Sequence, residues 1–234
     1  MIYVISDLHG YPVEKLKKLL ASAGFGDDDY LYILGDVVDR NGDGGVSVLC
    51  WLLSQPNVEL LLGNHEAMLL ACDFVFEEVT EAGIDQLDPE RMGVLNTYIY
   101  NGGDVTLRAL HELDKETQAE LLDYLRDCPL YEAVTAGDKD YILVHSGFSN
   151  FSKTRKISEY TPDELLWARP GRDTVYFDEI HTVFGHTPTG EIDCEYDGRI
   201  YKTATWTCID CGVTSGNEPI LLRLDDYREF KLEE

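Results

Sequence analysis

Five short apolar runs, each leading into side chains that can bind a metal ion, constrain this chain more than any other feature. They are IYVIS at 2–6, YLYIL at 30–34, VELLL at 58–62, YILVH at 141–145 and HTVF at 181–184. Their length and their aromatic and branched content predict β-strands. At their ends stand SDLHG (6–10), GDVVDR (35–40), GNHE (63–66), HSG (145–147) and GHTP (185–188). Open α/β sheets bind ligands in the crevice beyond the carboxyl ends of their strands. Five such loops would converge there and bring together Asp7, His9, Asp36, Asn64, His145 and His186.

The segments between the runs carry helical signals. Residues 12–23 begin at Pro12, place Leu16, Leu19 and Leu20 on one face and stop at Gly24. Residues 45–55 and 66–80 behave similarly, with Cys50, Trp51 and Leu53 in the first and Met68, Leu69, Cys72 and Phe76 in the second. The opening therefore reads βαβαβα. The stretch 90–128 reads as helical, broken at Asn101, Gly102 and Gly103 and ended by Pro129, and offers bulk rather than obvious chemistry. A strand-rich half follows, interrupted by a capping box with proline at the first helical position (Thr161-Pro162-Asp163-Glu164), which predicts a short helix at 162–168. With 234 residues and no repeat, low-complexity tract or linker, one domain spanning 1–234 is expected.

Composition excludes several classes of function. A formal charge of −25 repels polyanions and argues against a standing nucleic acid partner. It does not bar a small phosphate substrate, because bound cations dominate the local field. No apolar run nears the roughly 18 residues of a membrane helix, and MIYVISDLHG lacks the basic region and cleavage site of a signal peptide. The expectation is a cytoplasmic protein without a membrane partner. Six scattered cysteines read as reduced thiols. Cys208 and Cys211 have C-x-x-C spacing but no second pair, so they read as packing thiols.

Carboxylate and amide oxygens with imidazoles, and no thiolate, suit two hard or borderline divalent ions. Two ions about 3.5–4 Å apart can share a water and lower its pKa towards neutrality. The ordered set D-x-H-G, GDVVDR and GNHE, with His145 and His186 following, resembles the phosphoprotein phosphatase branch of the calcineurin-like metallophosphoesterases. The resemblance spans residues 2–212, and GDVVDR and GNHE are specific to the branch. NGG at 101–103 and LLWARPG at 165–171 further resemble small bacterial and phage phosphatases.

The resemblance implies a four-layer α/β fold, a central β-sandwich flanked by helices. It implies two divalent ions (manganese, iron or zinc), the first held by Asp7, His9 and Asp36 and the second by Asp36, Asn64, His145 and His186, with Asp36 as bridge. It implies His65 as general acid to the leaving alkoxide, Asp39 as the carboxylate that orients it, and Arg40 and Arg169, with Asn64, as contacts to phosphate. Ser6 and Asn41 replace glycines usual in the family, at positions that are not ligands.

Taken singly, each motif residue has a plainer reading: a capping turn for Asp7 and His9, a solvated loop for Asp36 and Asp39, a core histidine for His145 or His186. Glu66 reads as a helix starter at the positive end of the dipole. His111 reads as surface, His181 has no claim beyond proximity, and Trp167 and Trp206 read as core anchors. Arg169 could equally form a surface salt bridge. The leading function is hydrolysis of phosphate monoesters, with phosphoserine or phosphothreonine in protein, or a small phosphate ester, as substrate. The alternative is a symmetrical dinucleoside tetraphosphate hydrolase, which would need a stacking surface for its nucleosides. A non-catalytic scaffold is a third reading.

Overall fold

The computed structural model describes residues 1–76 and 89–232. One sheet contains β1 (Ile2–Ile5), β2 (Tyr30–Ile33), β3 (Val58–Leu60), β9 (Leu221–Arg223) and β10 (Arg228–Phe230) in the order β10-β9-β1-β2-β3. Strands β1, β2 and β3 are parallel, while β9 and β10 run antiparallel. The other sheet contains β4 (Tyr131–Ala136), β5 (Lys139–Val144), β6 (Ile180–Phe184), β7 (Tyr201–Lys202) and β8 (Trp206–Cys208) in the order β4-β5-β6-β8-β7. Its centre, β5, β6 and β8, is parallel and its edges are antiparallel.

Alternation along the strands builds three apolar layers. In β1, Tyr3 and Ile5 face the helices α1 (Val13–Ala23) and α2 (Val46–Leu52), whereas Val4 faces the second sheet. In β5, Tyr141 and Leu143 meet Val4 and Leu222 between the sheets, while Ile142 and Val144 turn outward. The outer layer of the second sheet is an aromatic cluster that includes Phe148, Tyr160, Tyr176 and Trp206. A strand buried on both faces must be apolar at every position, which is why IYVIS and YILVH read as continuous runs. The expected sandwich stands, with one difference in its cover. The second sheet is roofed mainly by irregular chain and the short helix α7 (Pro162–Leu166).

The helices follow their local signals. On α1, Leu16, Leu19, Leu20 and Ala23 are buried, and Gly24 ends it in a left-handed cap whose N–H bonds Ala21. The segment expected at 66–80 forms α3 (Asn64–Ala71) and a 3-10 turn (Asp73–Phe76); residues 77–80 lie outside the described residues. The break at Asn101–Gly103 separates α4 (Pro89–Tyr100) from α5 (Asp104–His111). A second break, not foreseen, precedes α6 (Lys115–Asp127), where Asp114 caps the amides of Glu116 and Thr117. The Thr161 capping box forms as expected, and α7 stops at Leu166 rather than 168. The four-residue α8 (Thr189–Ile192) follows β6. The last strands of the strand-rich half return to the first sheet: β9, within PILLRLD at 219–225, pairs with β1, Tyr3 opposite Arg223, and so covers an otherwise open edge. Among the described residues no helix is long and apolar enough to cross a membrane.

Candidate metal centre

The loops beyond β1, β2, β3, β5 and β6 meet at one end of the sandwich, in unusual backbone geometry. Asp7, His9, Asp36, Asp39, Arg40 and His186 have φ of 51, 42, 54, 77, 71 and 67°. They are six of the eight non-glycine residues with positive φ among the described residues. Left-handed backbone is uncommon outside glycine, and such strained residues cost on the order of 1–3 kcal/mol each. Loop-to-loop hydrogen bonds hold them: Asp7 N–H to Gly35 O at 3.1 Å, His9 N–H to Asp36 O at 2.9 Å and Gly185 N–H to His145 O at 2.8 Å. Gly35, at φ 88°, is required twice over, since a Cβ there would lie 2.6 Å from both Gly63 Cα and His145 Nδ1.

Glu66 clamps the Asp36 loop. Its fully buried carboxylate accepts the N–H groups of Asp36 and Gly63 on Oε2 (2.8 and 3.0 Å) and of Val37 and Val38 on Oε1 (2.8 and 3.1 Å). Burial pushes its pKa up, while the Val38 and Asp36 amides pull it back. The sequence reading of a helix starter captured only the Gly63 contact. Glu66→Gln would turn an amide NH2 towards two of these donors, and each buried donor left unpaired costs about 1–3 kcal/mol. A loss of roughly 2–5 kcal/mol in a denaturant titration is expected. An unchanged midpoint would show that the clamp contributes nothing.

The imidazoles of His145 and His9 are held by carbonyls on one side and turn their other nitrogen inward. His145 Nδ1 lies 2.7 Å from the Leu34 carbonyl oxygen and His9 Nδ1 lies 3.0 Å from that of Val38. Only an N–H satisfies a carbonyl, so the Nε2 of each ring is a bare lone pair. These lone pairs face other acceptors: His145 Nε2 is 3.5 Å from Asp36 Oδ1 and 2.8 Å from Asn64 Oδ1, and His9 Nε2 is 3.6 Å from Asp36 Oδ2. His186 Nδ1 lies 2.8 Å from the same Asn64 oxygen and 3.2 Å from His145 Nε2. The bare nitrogens of His9 and His145, turned on the two oxygens of Asp36, fit a cation. Among the described residues two groups have donor atoms within 4.8 Å of one another, His9–Asp36–His65 and Asp36–His145–His186, and Asp36 belongs to both.

Electrostatics point the same way. Burial lowers the pKa of His9 well below its ordinary value, that of His145 to about 3 and that of His186 to about 2, with neighbouring positive charge adding to the effect. Neutral imidazole is the ligating form. Burial raises Asp7 and Asp36 well above the usual carboxylate range; Asp210 adds to the shift of Asp7, and Glu66 and Asp7 to that of Asp36. Buried carboxylates crowded in this way call for positive charge.

Asp7 stands apart from both triads. Its carboxylate accepts the His186 amide, at 3.0 Å on Oδ1 and 2.9 Å on Oδ2, and so ties the β1 loop to the β6 loop. His65 fills the first triad instead, with Nε2 3.9 Å from Asp36 Oδ2. Its Nδ1 sits 2.6 Å from Asp39 Oδ2, and Arg40 Nη2 donates to its Nε2 at 3.2 Å.

A cleft of about 170 Å³ opens over these groups, lined by His9, Asp36, Arg40, Asn64, His65, His186 and also Asn101, Trp167, Arg169, Pro188, Glu191, Asp210, Thr214 and Ser215. Arg169 lines it as expected, yet its guanidinium pairs with Glu191 Oε2 at 3.2 Å, both side chains more than half exposed. Such a pair is worth about 0–1 kcal/mol and opens easily. The reading of Trp167 as a core anchor is corrected: it caps α7, is 46% exposed, and lies edge-on to His186 at 6.0 Å. Trp206 is the core anchor, fully buried. His181 bonds Thr207 and His111 is exposed against the Phe76 ring. Cys208 and Cys211 are buried free thiols.

Asp210 was missed. It follows β8, whose carboxyl end lies at the same edge as the others, but the C-x-x-C spacing drew attention to the flanking thiols. Burial raises its pKa to about 6, offset by the Gly212 N–H and by Arg40 and Arg169.

Comparison with known proteins agrees with this geometry. The symmetrical bis(5'-nucleosyl)-tetraphosphatase of Acidovorax sp. strain JS42 is 29% identical over 166 residues, 70% of this chain and 47% of the relative. The chain thus spans about half the length of the curated relatives it matches. Among solved structures, a provisionally assigned diadenosine tetraphosphatase superposes with a TM-score of 0.62 at 16% identity, covering 99% of this chain and 92% of the other. A protein serine/threonine phosphatase from Saccharomyces cerevisiae superposes with a TM-score of 0.56 at 14% identity, covering 100% and 80%. Both likenesses bear on fold. The profile of the calcineurin-like phosphoesterases matches residues 1–214, and this chain belongs to that family.

Proposed function

We propose that this chain hydrolyses phosphoric esters at a two-cation centre that shares Asp36. The observation that carries the reading is the set of unprotonated imidazole nitrogens turned on both oxygens of one buried carboxylate. His9 and Asp36 would hold one cation, with Asp7 or His65 beside them; Asp36, Asn64, His145 and His186 would hold the other. When bound, two divalent ions supply an activated water and neutralise phosphoryl charge. The chain's own groups do the rest. Arg40 and, once released from Glu191, Arg169 offer planar forks to the phosphoryl oxygens. His65 carries its Nδ1 proton against Asp39 and presents Nε2 to the centre, from which a protonated ring would deliver a proton to the leaving oxygen.

Two substrate classes divide on what surrounds the centre. The dinucleoside polyphosphate reading is supported by the names of the curated relatives and by Trp167, whose exposed ring offers the stacking face a nucleoside needs. The phosphoprotein reading is supported by an open cleft, while the GDVVDR and GNHE motifs serve both readings. Purified protein with added manganese should turn over p-nitrophenyl phosphate; a folded, cation-loaded sample without turnover would favour the scaffold. Diadenosine tetraphosphate set against phosphoserine peptides then separates the classes. Base stacking is worth about 1–3 kcal/mol, so Trp167→Ala should raise KM for the dinucleotide about 10-fold and spare the peptides. Equal KM values in wild type and variant would remove the stacking role.

A further inference from the structure

We infer that Tyr98 and Thr106, from the helical excursion between β3 and β4, are positioning residues that hold Asp39 and, through it, aim His65. The inference rests on the proposed reaction. Asp39 is fully buried and its two carboxylate oxygens are divided between two tasks. Oδ2 takes His65 Nδ1 at 2.6 Å, while Oδ1 accepts the Tyr98 hydroxyl at 2.6 Å and the Thr106 hydroxyl at 2.7 Å. The Thr106 oxygen also accepts the Asp39 backbone N–H at 3.0 Å, so one side chain grips both the backbone and the carboxylate of the same residue. Asp39 sits at φ 77°, a conformation that needs such support in a residue other than glycine.

The supports come from helices that otherwise contribute bulk. Tyr98 lies near the end of α4 and Thr106 in the first turn of α5, and the Asn101–Gly103 break turns the two towards each other. Gly103 makes the slot for the phenol ring, since a Cβ there would meet ring carbon Cζ at 2.4 Å. Tyr98 is buried, and burial together with the Asp39 charge pushes its hydroxyl far above its ordinary pKa, so it stays a donor. With two donors on Oδ1, the carboxylate cannot rotate without breaking both bonds. Its remaining oxygen fixes His65 as the Nδ1–H tautomer, with Nε2 towards Asp36.

The test uses leaving groups. An alkoxide needs a proton to depart, whereas 2,4-dinitrophenolate leaves as an anion, so loss of aim in His65 should slow the alkyl ester selectively. For Tyr98→Phe, which keeps the ring in its slot, and independently for Thr106→Val, kcat on glycerol phosphate should fall about 10-fold while kcat on 2,4-dinitrophenyl phosphate changes by less than about 3-fold. Thr106→Ser, which keeps the hydroxyl, should restore the alkyl ester. Equal slowing of both esters, or of neither, would overturn the inference. His65→Asn is the reference. If it discriminates between the esters and the two support variants do not, the inference alone falls; if it does not discriminate, the proton-donor reading falls and takes the inference with it.

Discussion

Asp36→Asn is expected to empty both cation sites at once. The carboxylate turns Oδ2 to His9 and His65 and Oδ1 to His145, so each triad uses a different oxygen of the same group. An amide keeps one oxygen and replaces the other with an NH2 that repels a cation. It also removes negative charge from a centre in which burial holds His9, His145 and His186 neutral. Elemental analysis should find the cation content falling from about two per chain towards none. Each ion contributes several kcal/mol to such a reaction, and about 1.36 kcal/mol is a factor of ten, so turnover should drop on the order of 10³-fold or more. A variant that retains one ion in full would show that Asp36 is not shared.

His65→Asn should slow hydrolysis of alkyl esters by about 10²–10⁴. Its Nδ1 contact with a buried carboxylate that is itself held by two hydroxyls marks a ring built for orientation. The competing role is visible in the same geometry, because His65 Nε2 shares a triad with His9 and Asp36. Cation content decides between them. Full occupancy with slow turnover assigns proton donation, whereas loss of one ion in step with activity makes His65 a ligand and leaves Asp7 as a purely structural tie between loops.

The fold was legible where local signals and burial agree. The α1 stop at Gly24, the Thr161 capping box and the break at Asn101–Gly103 all depend on residues within a few positions of one another. The return of β9 to β1 was not, because it depends on an edge left open more than two hundred residues earlier in the chain. Asp36, Asn64, His145 and His186 come together as the strand-end rule expects, since each lies where a parallel strand runs out. What it could not convey was the layer behind them. Glu66 bonds amides rather than side chains, and Tyr98 and Thr106 reach Asp39 from helices with no metal-like pattern. Trp167 was misjudged because aromatic content alone does not say which ring is left half uncovered.

The donor set draws on both sheets: Asp7, Asp36 and Asn64 leave strands of one, His145 and His186 strands of the other. Between the sheets lies mainly apolar contact, which resists separation but does little against shear, with a few hydrogen bonds such as that from the Tyr141 hydroxyl to the Leu224 carbonyl. Cations held from both sides would act as rivets across that seam and fix the alignment of the halves. Because ions that bind only the folded state also stabilise it, a chelator would unfasten the sandwich along with stripping its centre.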